Sequence, residues 1–210
     1  MVFSSRSKVS LLFSVSILLS IVGTFLLTSA LQLHATQASG VDNTQVFRFN
    51  MVPSSSAIKA CLPQAQGEVT IIRGKENQLM KVRVQGLAPN AGFALFVIEI
   101  PHGPFGISWY QSDMETNANG QGSVSVRGIF DVETFSLSPA NSPTVTFAPT
   151  HQYHLGLWFG DPQTPFDLGC EPGAPQPTVT PFDGDQIAGP QVLNTSNFPD
   201  NAGPLSQVQP

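Results

Sequence analysis

The sequence is short of charge. Of its 210 residues only 11% are Asp, Glu, Lys or Arg, less than half the ~25% of an ordinary globular chain. Long solvated helices need such residues along their outer faces, so a helical bundle or coiled coil is excluded. Cationic charge is missing altogether beyond Arg127, while eight carboxylates follow it. Nothing here neutralises a row of phosphates, and nucleic acid is excluded as a partner. The acidic C-terminal stretch suits a solvated surface, or a cation. Catalytic signatures are lacking too. There is no Gly-x-Ser-x-Gly elbow, no His-Glu-x-x-His and, within 59–171, no Ser-x-x-Lys; Gly120-x-Gly122 leads into a strand pattern and not a helix, which excludes a dinucleotide loop. Cysteine is nearly absent, at two residues.

What is present begins with a membrane-directing terminus. Arg6 and Lys8 precede an uncharged run from Val9 to Leu33 rich in Leu, Ile, Val and Phe. A positive segment followed by an apolar one is the signature of export. The run exceeds the ~7–15 residues of a secretory core and reaches the ~20 that cross a bilayer. Residues 1–35 therefore read as a signal-anchor transmembrane helix or a signal peptide, the membrane being a partner through 9–33 if the segment is uncleaved. Either way Arg6 and Lys8 stay inside and the remainder lies outside the cytoplasm, membrane-anchored or secreted. Residues 36–58, with the Ser54-Ser55-Ser56 run, read as a tether around one short strand, Val46–Met51.

In such a compartment an even, small cysteine count points to a disulfide. Cys61 and Cys170 are 109 positions apart, and closing a loop of about 100 residues is worth roughly 4–5 kcal/mol in the chain-entropy model.

Between the cysteines apolar residues recur at every second position. Met80, Val82 and Val84 alternate with Lys81, Arg83 and Gln85, a half-buried strand. Phe93–Ile100 is apolar on both faces, a central covered strand. Further strands are expected at 68–72, 106–111, 123–130, 132–137, 144–147 and 153–159, separated by turns such as Pro89-Asn90-Ala91-Gly92 and Asn117-Ala118-Asn119-Gly120. Short strands with no interposed helices predict an all-β, antiparallel Greek-key β-sandwich over 59–171, preceded by one N-terminal hydrophobic helix. Residues 172–210, with eight prolines and four glycines, read as an extended segment that wraps the domain, with a short strand near Gln191–Asn194 and a frayed end.

Two resemblances follow. Val82-Arg83-Val84-Gln85-Gly86-Leu87-Ala88-Pro89-Asn90-Ala91-Gly92-Phe93 resembles the opening strand–turn–strand of Greek-key sandwiches of the copper/zinc superoxide dismutase and chordin-type families. In the dismutases Gly-Phe is followed by His-x-His metal ligands; the matching positions here, Ala94 and Phe96, carry no donor. The resemblance implies the fold and speaks against the activity. Leu155-Gly156-Leu157-Trp158-Phe159 through Cys170, with Gly189-Pro190-Gln191-Val192-Leu193-Asn194-Thr195, is similar to an uncharacterised family of exported bacterial β-sandwich proteins.

Candidate chemistry is sparse. His151 and His154 would share a face on a helix and chelate a metal, but the strand pattern sends them to opposite faces and His154 to the face of Gly156 and Trp158. His102 sits in the turn-rich Pro101-His102-Gly103-Pro104. Asp183 and Asp185 offer part of a calcium shell, with Asp161, Asp167 and Glu171 nearby in sequence; an Asx-type turn is the simpler reading. Trp109, Tyr110 and Trp158 are candidate ligand platforms, since each Trp-aromatic pair puts one ring on each face of its strand. No catalytic residue and no cofactor are assigned. The reading is an extracytoplasmic binding or structural module at the cell envelope, its protein or glycan partner open. The alternatives are a small secreted hydrolase or metal-dependent enzyme using His102, His151 or the acidic tail, and a calcium-stabilised adhesion domain.

Overall fold

The computed structural model of the chain describes residues 46–130, 136–137, 145–146, 153–181 and 187–208. The apolar run 9–33, His151, Asp183 and Asp185 lie outside the described residues, as does most of the 132–137 and 144–147 strand pattern.

The molecule is predominantly β. In chain order the elements are β1 (Val46–Pro53), α1 (Ser56–Cys61), β2 (Gln66–Arg73), β3 (Gln78–Gln85), β4 (Gly92–Ile98), β5 (Ser108–Glu115), β6 (Gly122–Gly128), β7 (Ser136–Leu137), β8 (Val145–Thr146), β9 (His154–Phe159), α2 (Gln163–Asp167), β10 (Thr180–Pro181), β11 (Ile187–Ala188) and β12 (Gln191–Asn194). A 3₁₀ turn, Pro204–Gln207, follows. Eight strands form one antiparallel sheet in the order β5-β4-β9-β12-β1-β2-β3-β6. Its two ends, β5 and β6, come together at a bridge between Thr116 and Gly122, so the sheet nearly closes into a barrel. β7 pairs with β8 and β10 with β11 in separate two-stranded ladders.

The period-2 pattern decides what faces inward. Val69 and Ile71 of β2, Met80, Val82 and Val84 of β3, and Leu155, Leu157 and Phe159 of β9 enter one buried cluster, while Glu68, Arg83 and Gln85 are exposed. β4 has no polar face. Phe93, Leu95 and Val97 join the main core and Ala94, Phe96 and Ile98 a second cluster, so the strand is buried on both sides. A strand with two dry faces must be roofed on the outside as well as lined within.

The sheet is wider than the 59–171 marked by the sequence pattern. β1 pairs with β2 from Val46 to Met51 and then with β12 at Val52 and Pro53. β12 in turn lies between β1 and β9. Residues assigned to the tether and to the wrapping segment thus supply two barrel strands. The tether also holds a helix. Ser55 caps α1, its hydroxyl accepting from the Ile58 amide at 3.2 Å, and Ile58 is buried beneath. None of the described helices is long and apolar enough to cross a membrane.

Cys61, at the end of α1, is joined to Cys170, just after α2, in a disulfide with Cα atoms 5.1 Å apart. The bond ties the α1 corner to the segment leaving β9 and leaves no free thiol among the described residues.

Candidate functional site

The outer face of β4, β9 and β12 is the place where the sequence-predicted residues gather. Alternation along β9 puts His154, Gly156 and Trp158 on this face and Leu155, Leu157 and Phe159 in the core. Pairing with β4 sets Ala94 opposite Trp158, Phe96 opposite Gly156 and Ile98 opposite His154. Two regions result, one aromatic and one polar.

The aromatic region is a chain of edge-to-face rings. Phe96 meets Tyr110 at 5.7 Å and Trp158 at 5.3 Å, and Trp158 meets Phe105 at 5.0 Å. Phe105 comes from the loop after β4, which folds back over the sheet; the Ile107 amide donates to Glu99 Oε2 at 3.0 Å and closes it. Trp158 is only 3% exposed, so its ring offers no open face to a ligand. The alternation rule gave the side of the strand but not the roof over it. Gly156 exists for this ring: a Cβ there would lie 2.6 Å from Trp158 Cη2 and 2.6 Å from Gln191 Nε2. Trp109 points the other way, packing edge-on against Tyr153 at 5.6 Å in the main core. Of the three platform candidates only Tyr110 is open to solvent. Partial burial, followed by a hydrogen bond to and repulsion from Asp113, raises its phenol above the ordinary value.

The polar region is built around β12. Asn194 Nδ2 donates to the Pro101 carbonyl and to Gln191 Oε1, each at 2.9 Å, and so pins the β4–β5 loop to the sheet. His154 is fully buried; its Nδ1 meets Thr195 Oγ1 at 2.8 Å, and the same hydroxyl accepts from the Leu155 amide at 3.0 Å. Among the described residues, the buried His154 Nε2 and Gln191 Nε2 have no hydrogen-bond partner. Burial lowers the His154 pKa below its ordinary value, and the backbones of Asp200 and Pro199 oppose this in part. On the surface His102 Nε2 meets Asp200 Oδ2 at 2.8 Å, joining the loop to the C-terminal segment. Asn194, Thr195 and Asp200 carry no pattern that sequence reasoning recognises. Their roles come from contacts 40 to 98 positions away in the chain.

Other carboxylates serve local structure. Asp161 accepts from the Gln163 amide at 2.9 Å and the Thr164 hydroxyl at 3.1 Å, an Asx-type start to α2. Asp167 accepts from Gln163, and Glu171 from the Thr178 amide. Among the described residues no three His, Cys, Asp or Glu side chains are placed to hold a metal ion. A Ser-x-x-Lys does straddle the start of the 59–171 span, at Ser56-Ala57-Ile58-Lys59 on the first turn of α1. Both side chains are solvent-exposed, whereas a lysine that activates a nucleophile is desolvated.

No protein-family model, curated protein or solved structure matches this chain.

Proposed function

We propose that this chain is exported and acts at the outer side of the cell envelope as a disulfide-closed Greek-key β-sandwich, a binding or structural module and not an enzyme. The observation that carries this reading is the Cys61–Cys170 disulfide. Such a bond persists in an oxidising compartment and is rare in a reducing one. The uncharged run Val9–Leu33 behind Arg6 and Lys8 supplies the means of export. The Greek-key reading is supported by β3 pairing with β6 while the intervening β4–β5 hairpin adds to the far end of the sheet beside β9. The resemblance to the dismutase and chordin-type opening is proposed for the fold alone. Ala94 and Phe96 lie in the roofed apolar cluster, and a methyl and a phenyl supply no lone pair to a metal.

The test is a fusion of alkaline phosphatase, which folds only where disulfides form, behind the full-length chain in a bacterial host. Activity comparable to that of an established exported fusion is expected. An inactive fusion that accumulates in the cytoplasm would overturn the reading.

A further inference from the structure

A strip of polar side chains runs along the outer face of β5 and ends in a cavity, and its chemistry selects one class of ligand. Trp109 and Met114 both turn into the main core, although they are an odd number of positions apart, so the alternation is broken between them. Pairing with β4 shows where: Phe96 faces Tyr110 and Leu95 faces Ser112, which leaves Gln111 as the extra residue of a β-bulge. The bulge sets Tyr110 on one face with Asp113 and Glu115. Tyr110 is 46% exposed, and both carboxylates are exposed. Across from those carboxylates β4 offers only Ala94 and Gly92. A Cβ at Gly92 would come 3.1 Å from Glu115 Oε1, so glycine there leaves the carboxylate its room. Glu115 is also one wall of a cavity of about 470 Å³ at the seam where β5 meets β6. Its other polar walls are Arg83 and Gln85 of β3, Asn117 and Gln121 of the β5–β6 turn, and Ser123 of β6. Asn117 Oδ1 accepts from the Asn119 amide at 2.9 Å and the Gln121 amide at 3.1 Å, which fixes that turn. Among the described residues no ion pair joins Arg83 to Glu115, so a cation and an anion line the same space separately.

We propose that this strip binds a neutral oligosaccharide, an inference that rests on reading the chain as a binding module of the envelope. A sugar hydroxyl both donates and accepts. The cavity answers with a donor-only guanidinium, an acceptor-only carboxylate and amides that do both. Hydrogen bonds to the two charged groups are the stronger kind. The same groups sort ligands by charge, since an anion meets Glu115 and Asp113 and a cation meets Arg83. A zwitterion small enough to bridge Arg83 and Glu115 leaves Tyr110 unused. A sugar chain uses it: the exposed phenol ring is apolar in its body and polar at its tip, where it bonds to Asp113. Ring and cavity are separated by five steps of an extended strand, roughly 15 Å, which one sugar ring does not span and a short chain does. A protein partner fits less well, because protein interfaces have an apolar centre depleted of charge, and the centre of this strip is charged.

The test applies the full-length chain, solubilised in detergent, to an array of plain and N-acetylated neutral oligosaccharides of differing linkage, with acidic oligosaccharides and the monosaccharides alongside. Retention on neutral oligosaccharides is expected, above that on monosaccharides. Arg83→Met and Glu115→Gln should each weaken it about tenfold or more, the loss of one charge-assisted hydrogen bond. Tyr110→Ala should weaken it severalfold. Lys75→Met, which removes an exposed cation outside the cavity, should leave it unchanged. A chain with its Cys61–Cys170 bond intact that no neutral oligosaccharide retains would overturn the proposal and leave the export reading standing. So would retention on acidic members alone, monosaccharides held as firmly as the chains, or retention that survives both cavity substitutions. A chain that binds these glycans while its alkaline phosphatase fusion stays inactive in the cytoplasm would instead overturn the export reading and leave the site standing.

Discussion

At the scale of single residues, the outer face of β9 shows what a period-2 pattern transmits and what it does not. The alternation Leu155, Leu157, Phe159 against His154, Gly156, Trp158 was legible and fixes the side of each chain. It says nothing of Phe105 and Ala188, which arrive from other parts of the chain and bury Trp158. Gly156 was placed on the Trp158 face by the same alternation; in the fold it is the floor under the indole. Gly156→Ala puts a methyl against Trp158 and Gln191, and overpacking of this kind costs about 1–3 kcal/mol. A lowered urea midpoint with a red-shifted tryptophan emission is the expected result. His154 makes a pH-dependent prediction. Burial holds its folded pKa below the unfolded value of about 6.5. The unfolded chain therefore binds the proton more readily, and stability rises with pH through the window beneath that value. The contribution is complete above about pH 6.5 and is lost as the pH falls below it. The urea midpoint should drop between pH 7.5 and pH 5.5, and drop less in His154→Asn. An equal drop in both proteins would assign the effect to other groups.

Among the elements, strands were easier to read than the pieces that join them. β3 falls on the 78–85 alternation and β12 on 191–194, because each combines a pattern with flanking turn residues. α1 was hidden in a serine-rich stretch that reads as linker; its six residues are too few for a helical period to declare itself, and Ser55 acts as a cap only because Ile58 has a core to enter. Turns depend on similar local pairs. Thr116, buried between the β3–β4 and β5–β6 turns, donates its hydroxyl proton to the Ala88 carbonyl at 2.6 Å and accepts from the Ala91 amide at 3.0 Å. Thr116→Val leaves both backbone groups unmet, at a cost of about 1–3 kcal/mol, measurable by chemical denaturation. The disulfide acts on a longer span. Since it closes 109 positions, its removal in Cys61→Ser/Cys170→Ser should cost about 2–5 kcal/mol. The same decrement is expected from the unsubstituted protein in reductant, and addition of reductant to the double variant should then change nothing.

The whole molecule is assembled from chain ends as much as from the patterned middle, and for that reason its boundaries were not legible in the sequence. β1 belongs to a stretch that reads as tether and β12 to a stretch rich in proline and glycine, yet they pair with each other at Val52–Asn194 and Pro53–Leu193. Neither has a face to bury until the other half of the sheet exists. Contacts between positions 140 apart carry no local signal, and their entropy of closure is met late in folding. The consequence can be tested by truncation. A chain ending at residue 181 lacks β12, and with it Val192 and Leu193, which are fully buried between β9 and β1. Such a chain should lose the cooperative melt and the β-sheet circular dichroism altogether. A chain ending at residue 198 keeps β12 and loses Leu205, a fully buried side chain whose burial is worth about 1.5–3 kcal/mol. It should fold with a lowered midpoint. If the shorter truncation also melts cooperatively, the barrel does not depend on its last strand, and residues 172–210 would stand as the accessory wrapping that their composition suggests.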